Sequence, residues 1–228
     1  MLEKKSIVAI VPARGGSKGI LRKNLRQING RSLLAHTIAT AKQSQWIDKI
    51  IVSSEDQEII QAAQQAGAEV PFTRPIELAA DETPGTQPIL HALSQLPFYD
   101  YVIVLQTTSP LRNAKDIDEC LNFIVAKQAP ACVSVCQADI SPHWMFKLNA
   151  QHQLKQLLAD DIPMRRQDLP PTFYLNGAIY AAQTDWFLKN KSFLTAETIA
   201  YIMPRARSID VDTEYDLRLA EWMLADAC

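Results

Sequence analysis

Residues 10–19, IVPARGGSKG, set three glycines, Arg14 and Lys18 directly behind an apolar run, with Lys23 a few positions on. Glycine leaves the backbone bare, so a ligand can come close to the amides. Amides at a strand end, flanked by cations, suit phosphate oxygens. The stretch therefore reads as a triphosphate cradle built from Arg14, Gly15, Gly16, Ser17, Lys18 and Lys23. Spacing excludes two other phosphate loops. A dinucleotide fingerprint needs G-x-G-x-x-G, but Ser17 stands two after Gly15; a Walker loop needs G-x-x-x-x-G-K-[ST], which Gly15-Gly16-Ser17-Lys18 does not supply. The bland alternative is a glycine turn carrying solvated basic side chains.

A second group lies near the other end of the chain. In SIDVD (208–212) the acids alternate, so an extended backbone turns Asp210 and Asp212 to one face, where they could hold a hard cation such as magnesium through oxygen. Such an ion bridges phosphate oxygens and offsets charge built up at phosphorus. The same letters also fit a helix start, with Thr213 as N-cap, Asp216 three residues on, and acids favoured by the helix dipole. The letters leave both readings open. Arg165 and Arg166 adjoin Gln167 and Asp168; a guanidinium suits bidentate capture of a carboxylate, and an ordinary ion pair is the alternative. Gln106, after the apolar run YVIVL, can donate to and accept from a sugar, or merely cap a strand end. Asp56 fits the N-cap of the helix that follows it, and with Glu55 is left outside the catalytic set. Phe193 is an apolar wall for a sugar or simple packing. His36, His91, His143 and His152 have no triad or metal pattern around them.

These groups need elements to position them. Short β-rich runs at 6–11, 49–53, 101–105 and 131–136 alternate with helical patterns at 32–42, 56–66, 85–96 and 114–127, with Gly67 closing the second helix. This alternation implies an α/β, Rossmann-like, mostly parallel sheet with helices on both faces, and ligands bound beyond the carboxyl ends of its strands. The rhythm breaks at 141–172, a stretch rich in Pro, Gln, Asp and Arg that reads as an inserted excursion; GAIYAA and AYIM then rejoin the sheet, and 213–227 forms a last helix. With 228 residues and 47% hydrophobic side chains, one main domain over 1–228 is expected. A net charge of -2 argues against a nucleic-acid or anionic-membrane partner. The four cysteines, Cys120, Cys132, Cys136 and Cys228, lack metal or disulfide spacing and read as reduced thiols. Lys4 and Lys5 precede an apolar run that soon meets Pro12 and Arg14, which is no leader peptide; a cytoplasmic protein is expected.

PARGGSKG followed by KNL resembles the amino-terminal signature of the acylneuraminate cytidylyltransferases, the CMP-sialic acid synthetases. The resemblance continues through VSSED (52–56), RPIELAADET (74–83), LQTTSPLR (105–112), RRQDLP (165–170), NGAIY (176–180) and SIDVDTEYDL (208–217). Ordered motifs across the whole chain are a stronger signal than any one of them. Two positions depart from the family pattern, Leu21 and Thr107, each where the family has proline; both remove a rigid φ, not a reactive group.

The resemblance implies the fold of the nucleotide-diphospho-sugar transferases, with the excursion at about 141–172 as a dimerisation and sugar-closing lobe, hence a homodimer. It implies that Asp210 and Asp212 are ligands of Mg2+, and that Asn24 and the loop opened by Arg74 read cytosine. Gln106, Lys147, Arg166, Asn176 and Tyr180 are the implied sugar contacts. The implied reaction joins CTP to a nine-carbon 2-keto-3-deoxy sugar acid, such as N-acetylneuraminate or legionaminate, and releases pyrophosphate. Arg14 and Lys23 would hold the phosphates and stabilise charge. Rival readings are a cytidylyltransferase for an eight-carbon keto-deoxy acid, sugar-1-phosphate nucleotidylyl transfer, and a CTP-binding regulator without turnover.

Overall fold

The computed structural model describes residues 4–158, 165 and 169–226. Its centre is β1 (Ile7–Pro12), flanked by β4 (Lys49–Ser53) and β5 (Tyr101–Leu105), both parallel to it. Beyond β5 come β9 (Phe173–Gln183), β6 (Ala131–Gln137) and β10 (Thr198–Ile202), giving the order β10-β6-β9-β5-β1-β4. Only β9 runs antiparallel, pairing with both β5 and β6. The sheet is thus mostly parallel, as the alternation of elements predicts.

Burial explains the strand sequences. IVAIVP and YVIVL are apolar throughout because both faces of these strands are covered. Along β1, Ile7, Ala9 and Val11 enter one core and Val8 and Ile10 the other. The first core packs on α1 (Leu33–Gln43), α2 (Gln57–Gln65) and α4 (Ala114–Lys127) through Leu34, Ile38, Ile59, Ala63, Leu121 and Ile124. The second packs on α3 (Gln87–Ser94) and α5 (Thr184–Asn190) through Ile89, Ala92 and Phe187. A third cluster, around Ile28, Leu33 and Val211, seats α6 (Glu214–Asp226) against the short hairpin of β2 (Gln27–Ile28) and β3 (Arg31–Ser32).

Helix starts follow local chemistry. Ser32 accepts from the amide of Ala35, Asn113 and Asp116 form a reciprocal capping box, and Asp56 accepts from the amides of Glu58 and Ile59. Gly67, at φ 80°, ends the turn after α2, as expected. The helix expected over 85–96 is shorter, because Gln87 donates its amide to Pro84 in a turn that keeps residues 84–86 out of it. In the excursion, a 3-10 turn at Pro142–Trp144 leads to an isolated antiparallel hairpin, β7 (Phe146–Leu148) with β8 (Leu154–Gln156). Cys120, Cys132 and Cys136 are free and buried. Among the described residues no helix is long and apolar enough to cross a membrane.

Because β1, β4 and β5 are parallel, their carboxyl ends share one edge of the sheet. The middle of β9 returns to that edge, with Ile179 opposite Leu105 and Tyr180 opposite Val104. Chain segments leaving this edge build the site.

Candidate active site

A cleft of about 330 Å³ opens there, lined on one side by Arg14, Gly16, Ser17 and Lys23 and on the other by Arg74, Asp81 and Gln106. Each cradle cation has an acidic partner from the chain itself. Arg14 and Lys18 each bind one oxygen of Asp81, at 2.8 and 2.9 Å, and Lys23 binds Asp212 at 2.8 Å. Lys18 and, less strongly, Arg14 hold the Asp81 carboxyl below the usual carboxylate range. The glycine amides divide in role. Gly15 donates its N–H to Glu55 at 2.7 Å, and a side chain there would begin 2.5 Å from an Asp56 oxygen, so this glycine serves close packing. Gly16 lines the cleft with open space at its α-carbon.

Asn24 lines the same cleft but is buried, with its amide engaged on both sides. Nδ2 donates to the carbonyl of Arg14 at 2.8 Å, and Oδ1 accepts from the Thr107 hydroxyl at 2.5 Å. Thr107, where the family pattern has proline, thereby supplies a hydrogen bond that proline could not. Arg74 is 3% exposed and gives Nη2 to Glu55 at 2.5 Å, while its Nε has no partner among the described residues.

Asp210 and Asp212 flank Val211, which is buried and donates its amide to Thr108 at 2.8 Å. That anchor holds the segment at the cleft edge. The helix-start reading holds for Thr213 and Asp216, since Asp216 accepts from the amide of Thr213 at 2.8 Å and so caps α6 without using Asp210 or Asp212. The phosphate loop packs directly on this segment: a side chain on Gly19 would begin 2.2 Å from the carbonyl of Asp212. Desolvation raises the Asp210 carboxyl above its ordinary range and the charge of Asp212 adds to this, against the opposing charge of Lys23. Among the described residues no group of three or more His, Cys, Asp or Glu side chains could hold a metal ion. A carboxylate pair is the donor set suited to an ion that keeps waters and takes its remaining oxygens from phosphates, as magnesium does.

Gln106 joins the cleft to a side pocket of about 220 Å³, walled by Tyr180 and Phe193, whose rings lie 5.8 Å apart. Burial and the charge of Asp210 raise the Tyr180 phenol above its ordinary range. The Gln106 carbonyl accepts from Arg112 at 3.1 Å, and the Ala178 carbonyl accepts from the same nitrogen at 2.7 Å. Burial pushes Arg112 down to about 10. Of the other expected sugar contacts, Asn176 and Lys147 line neither cavity. Asn176 is 2% exposed and both ends of its amide are engaged internally: Ser134 and the Ala178 amide donate to Oδ1, while Nδ2 donates to Ser208 and Met203. It ties β9 to β6 near Ser134, where the register of their pairing shifts. Lys147 is exposed on the β7–β8 hairpin and lines neither the cleft nor the side pocket. Arg166 lies outside the described residues. Glu55 and Asp81 are contacts that sequence reasoning left out; both sit inside quoted motifs, VSSED and RPIELAADET, and that was the available signal.

Comparison with known proteins points to the same chemistry. A family model described as cytidylyltransferase matches residues 8–219. The chain is 34% identical over 228 residues to a CMP-N,N'-diacetyllegionaminic acid synthase of Legionella pneumophila, covering 96% of each chain. It is 33% identical over 211 residues to an N-acylneuraminate cytidylyltransferase of Streptococcus agalactiae, where the match takes in 92% of this chain and 51% of that longer one. In fold it is similar to a CMP:2-keto-3-deoxy-manno-octonic acid synthetase solved with CTP, at TM-score 0.75 and 20% identity over 98% of this chain and 100% of the other. A family match spanning the glycine-rich loop, the Arg74 segment and the acid pair, together with a relative aligned over 96% of both chains, assigns this chain to the cytidylyltransferase family.

Proposed function

We propose that the protein transfers the cytidylyl group of CTP to a nonulosonic acid, a nine-carbon 2-keto-3-deoxy sugar acid of the N-acylneuraminate or legionaminate kind. The observation that carries this reading is a cation-lined cleft that shares Gln106 with a separate aromatic-walled pocket, with Asp210 and Gln106 both beside Gly177, an arrangement that would seat nucleotide and sugar side by side. End-to-end likeness to a CMP-legionaminic acid synthase supports the sugar class.

In this reading the phosphates exchange places with the acids that now pair with Arg14, Lys18 and Lys23. The anomeric oxygen of the sugar forms a bond to the α-phosphorus as the bond to the pyrophosphate bridging oxygen breaks. The electron pair leaves with pyrophosphate and the hydroxyl proton is released. Arg14 and Lys23 stabilise charge on the phosphates, and catalysis is positioning and electrostatics. Asp210 and Asp212 would hold magnesium, which when bound draws phosphate oxygens together and offsets their charge. Tyr180 and Phe193 give the sugar an apolar wall and exclude water from its far face.

A homodimer belongs to the same proposal. The β7–β8 hairpin and the start of β9 expose Phe146, Leu148, Leu154, Phe173, Tyr174 and Leu175, an apolar surface that a second copy would cover. Phosphorus NMR of the protein with CTP, magnesium and N,N'-diacetyllegionaminic acid tests the reaction. One new phosphodiester signal with an equal amount of pyrophosphate is expected. CMP and pyrophosphate without the phosphodiester would mean hydrolysis and would count against transfer.

A further inference from the structure

The end of β4 and the turn that leads to α2 bond to the segments that border the cleft. The Ser53 carbonyl accepts from the Ala13 amide at 3.0 Å, and the Ser54 carbonyl from the Arg74 amide at 2.9 Å. Asp56 packs on Gly15 and holds Arg22, at the far end of the phosphate loop, through both its oxygens. Glu55 divides its carboxylate, one oxygen 2.7 Å from the Gly15 amide and the other 2.5 Å from Nη2 of Arg74. It takes no part in capping α2, which Asp56 does alone. Nor is it a surface ion pair: the two side chains are 13% and 3% exposed. A buried guanidinium keeps its orientation only while its acid partner does, and Glu55 is the one acid paired with Arg74 among the described residues.

We propose that Glu55 is a positioning residue for recognition of the nucleotide base. Its carboxylate fixes the guanidinium of Arg74 and the amide of Gly15 at once, which holds the base-reading and phosphate-seating parts of the cleft in one register. The inference rests on the reading of Arg74 as a base contact. Glutamate is the acid long enough to span both partners; aspartate is one methylene shorter, and glutamine can still accept from Gly15 but offers Arg74 a donor in place of an acceptor.

Titration calorimetry on the full chain with CTP, UTP and inorganic pyrophosphate, each in magnesium, tests this for the wild type, E55Q and R74Q. E55Q should bind CTP roughly 10- to 100-fold more weakly, the loss of one charge-assisted hydrogen bond. UTP and pyrophosphate should bind almost as before, so the preference for CTP over UTP collapses. R74Q should lose the same preference, and the double variant should be no worse than R74Q, because the two residues act as one unit. Equal weakening of all three ligands in E55Q, or an unchanged CTP-to-UTP ratio in E55Q while R74Q loses it, overturns the role of Glu55 alone. An unchanged ratio in R74Q overturns the reading of Arg74, and the inference with it. If E55Q does not fold, E55D is judged by the same ratio.

Discussion

Asn24 lies with its carbonyl oxygen against the Thr107 hydroxyl and its amide nitrogen against the Arg14 carbonyl, all at the floor of the cleft. Replacing Thr107 by valine leaves that buried oxygen unpaired, so T107V should lose about 1–3 kcal/mol in a denaturant melt while T107S stays close to wild type. Asp81 makes a different case. Its carboxylate occupies both Arg14 and Lys18, which in the proposed function pass to phosphate, and it has no other ion-pair partner among the described residues. D81N should therefore bind inorganic pyrophosphate about 3- to 10-fold more tightly, a surface-pair effect, and the gain should shrink as salt is raised. Weaker binding in D81N would mean that Asp81 orients the cations for phosphate instead of competing with it. That Arg14, Gly16, Ser17 and Lys23 share one cleft was legible because they sit together in the chain. Glu55 was not, because its two partners, Gly15 and Arg74, lie 40 and 19 residues away in the sequence.

At the scale of elements, Asp56 links the start of α2 to the phosphate loop, capping two amides and binding Arg22. D56N keeps an acceptor for the cap but gives up the charge paired with Arg22, and should cost about 1 kcal/mol. Arg22, ahead of the two capped amides, lowers the Asp56 carboxyl below its ordinary range. A carboxyl lowered on folding stabilises the fold above its unfolded pKa, and that contribution fades as pH falls through the folded one. The stability gap between wild type and D56N should hence be widest near neutrality and narrow below about pH 4, the unperturbed carboxylate range. Urea melts across that range would show it, and a gap independent of pH would remove the charge from the account. Strands and helices were legible wherever burial imposes a period, as along β1, whose alternate residues enter different cores. The internal ties of Asn176 were not legible because its partners, Ser134 and Ser208, come from other segments, and no local pattern reports such a tie.

For the molecule as a whole, the sheet gathers the ends of β1, β4 and β5 at one edge, and the β7–β8 hairpin stands apart from it with its apolar side chains uncovered. Sedimentation at micromolar concentration should find a dimer, and charge placed on that surface, as in F146E with L154E, should yield a monomer. A wild-type monomer with full activity would contradict the homodimer. Lys147 lies on the same hairpin, away from the cleft of its own chain, so a dimer is also the arrangement that could bring it to a sugar. The central claim is cytidylyl transfer to a nine-carbon acid, and its most direct test is pyrophosphate release from CTP and magnesium with N-acetylneuraminic, legionaminic, pseudaminic and eight-carbon keto-deoxy acids supplied one at a time. The account predicts release with a nine-carbon acid that D212N abolishes; release with the eight-carbon acid alone, or with none of the four, would contradict it.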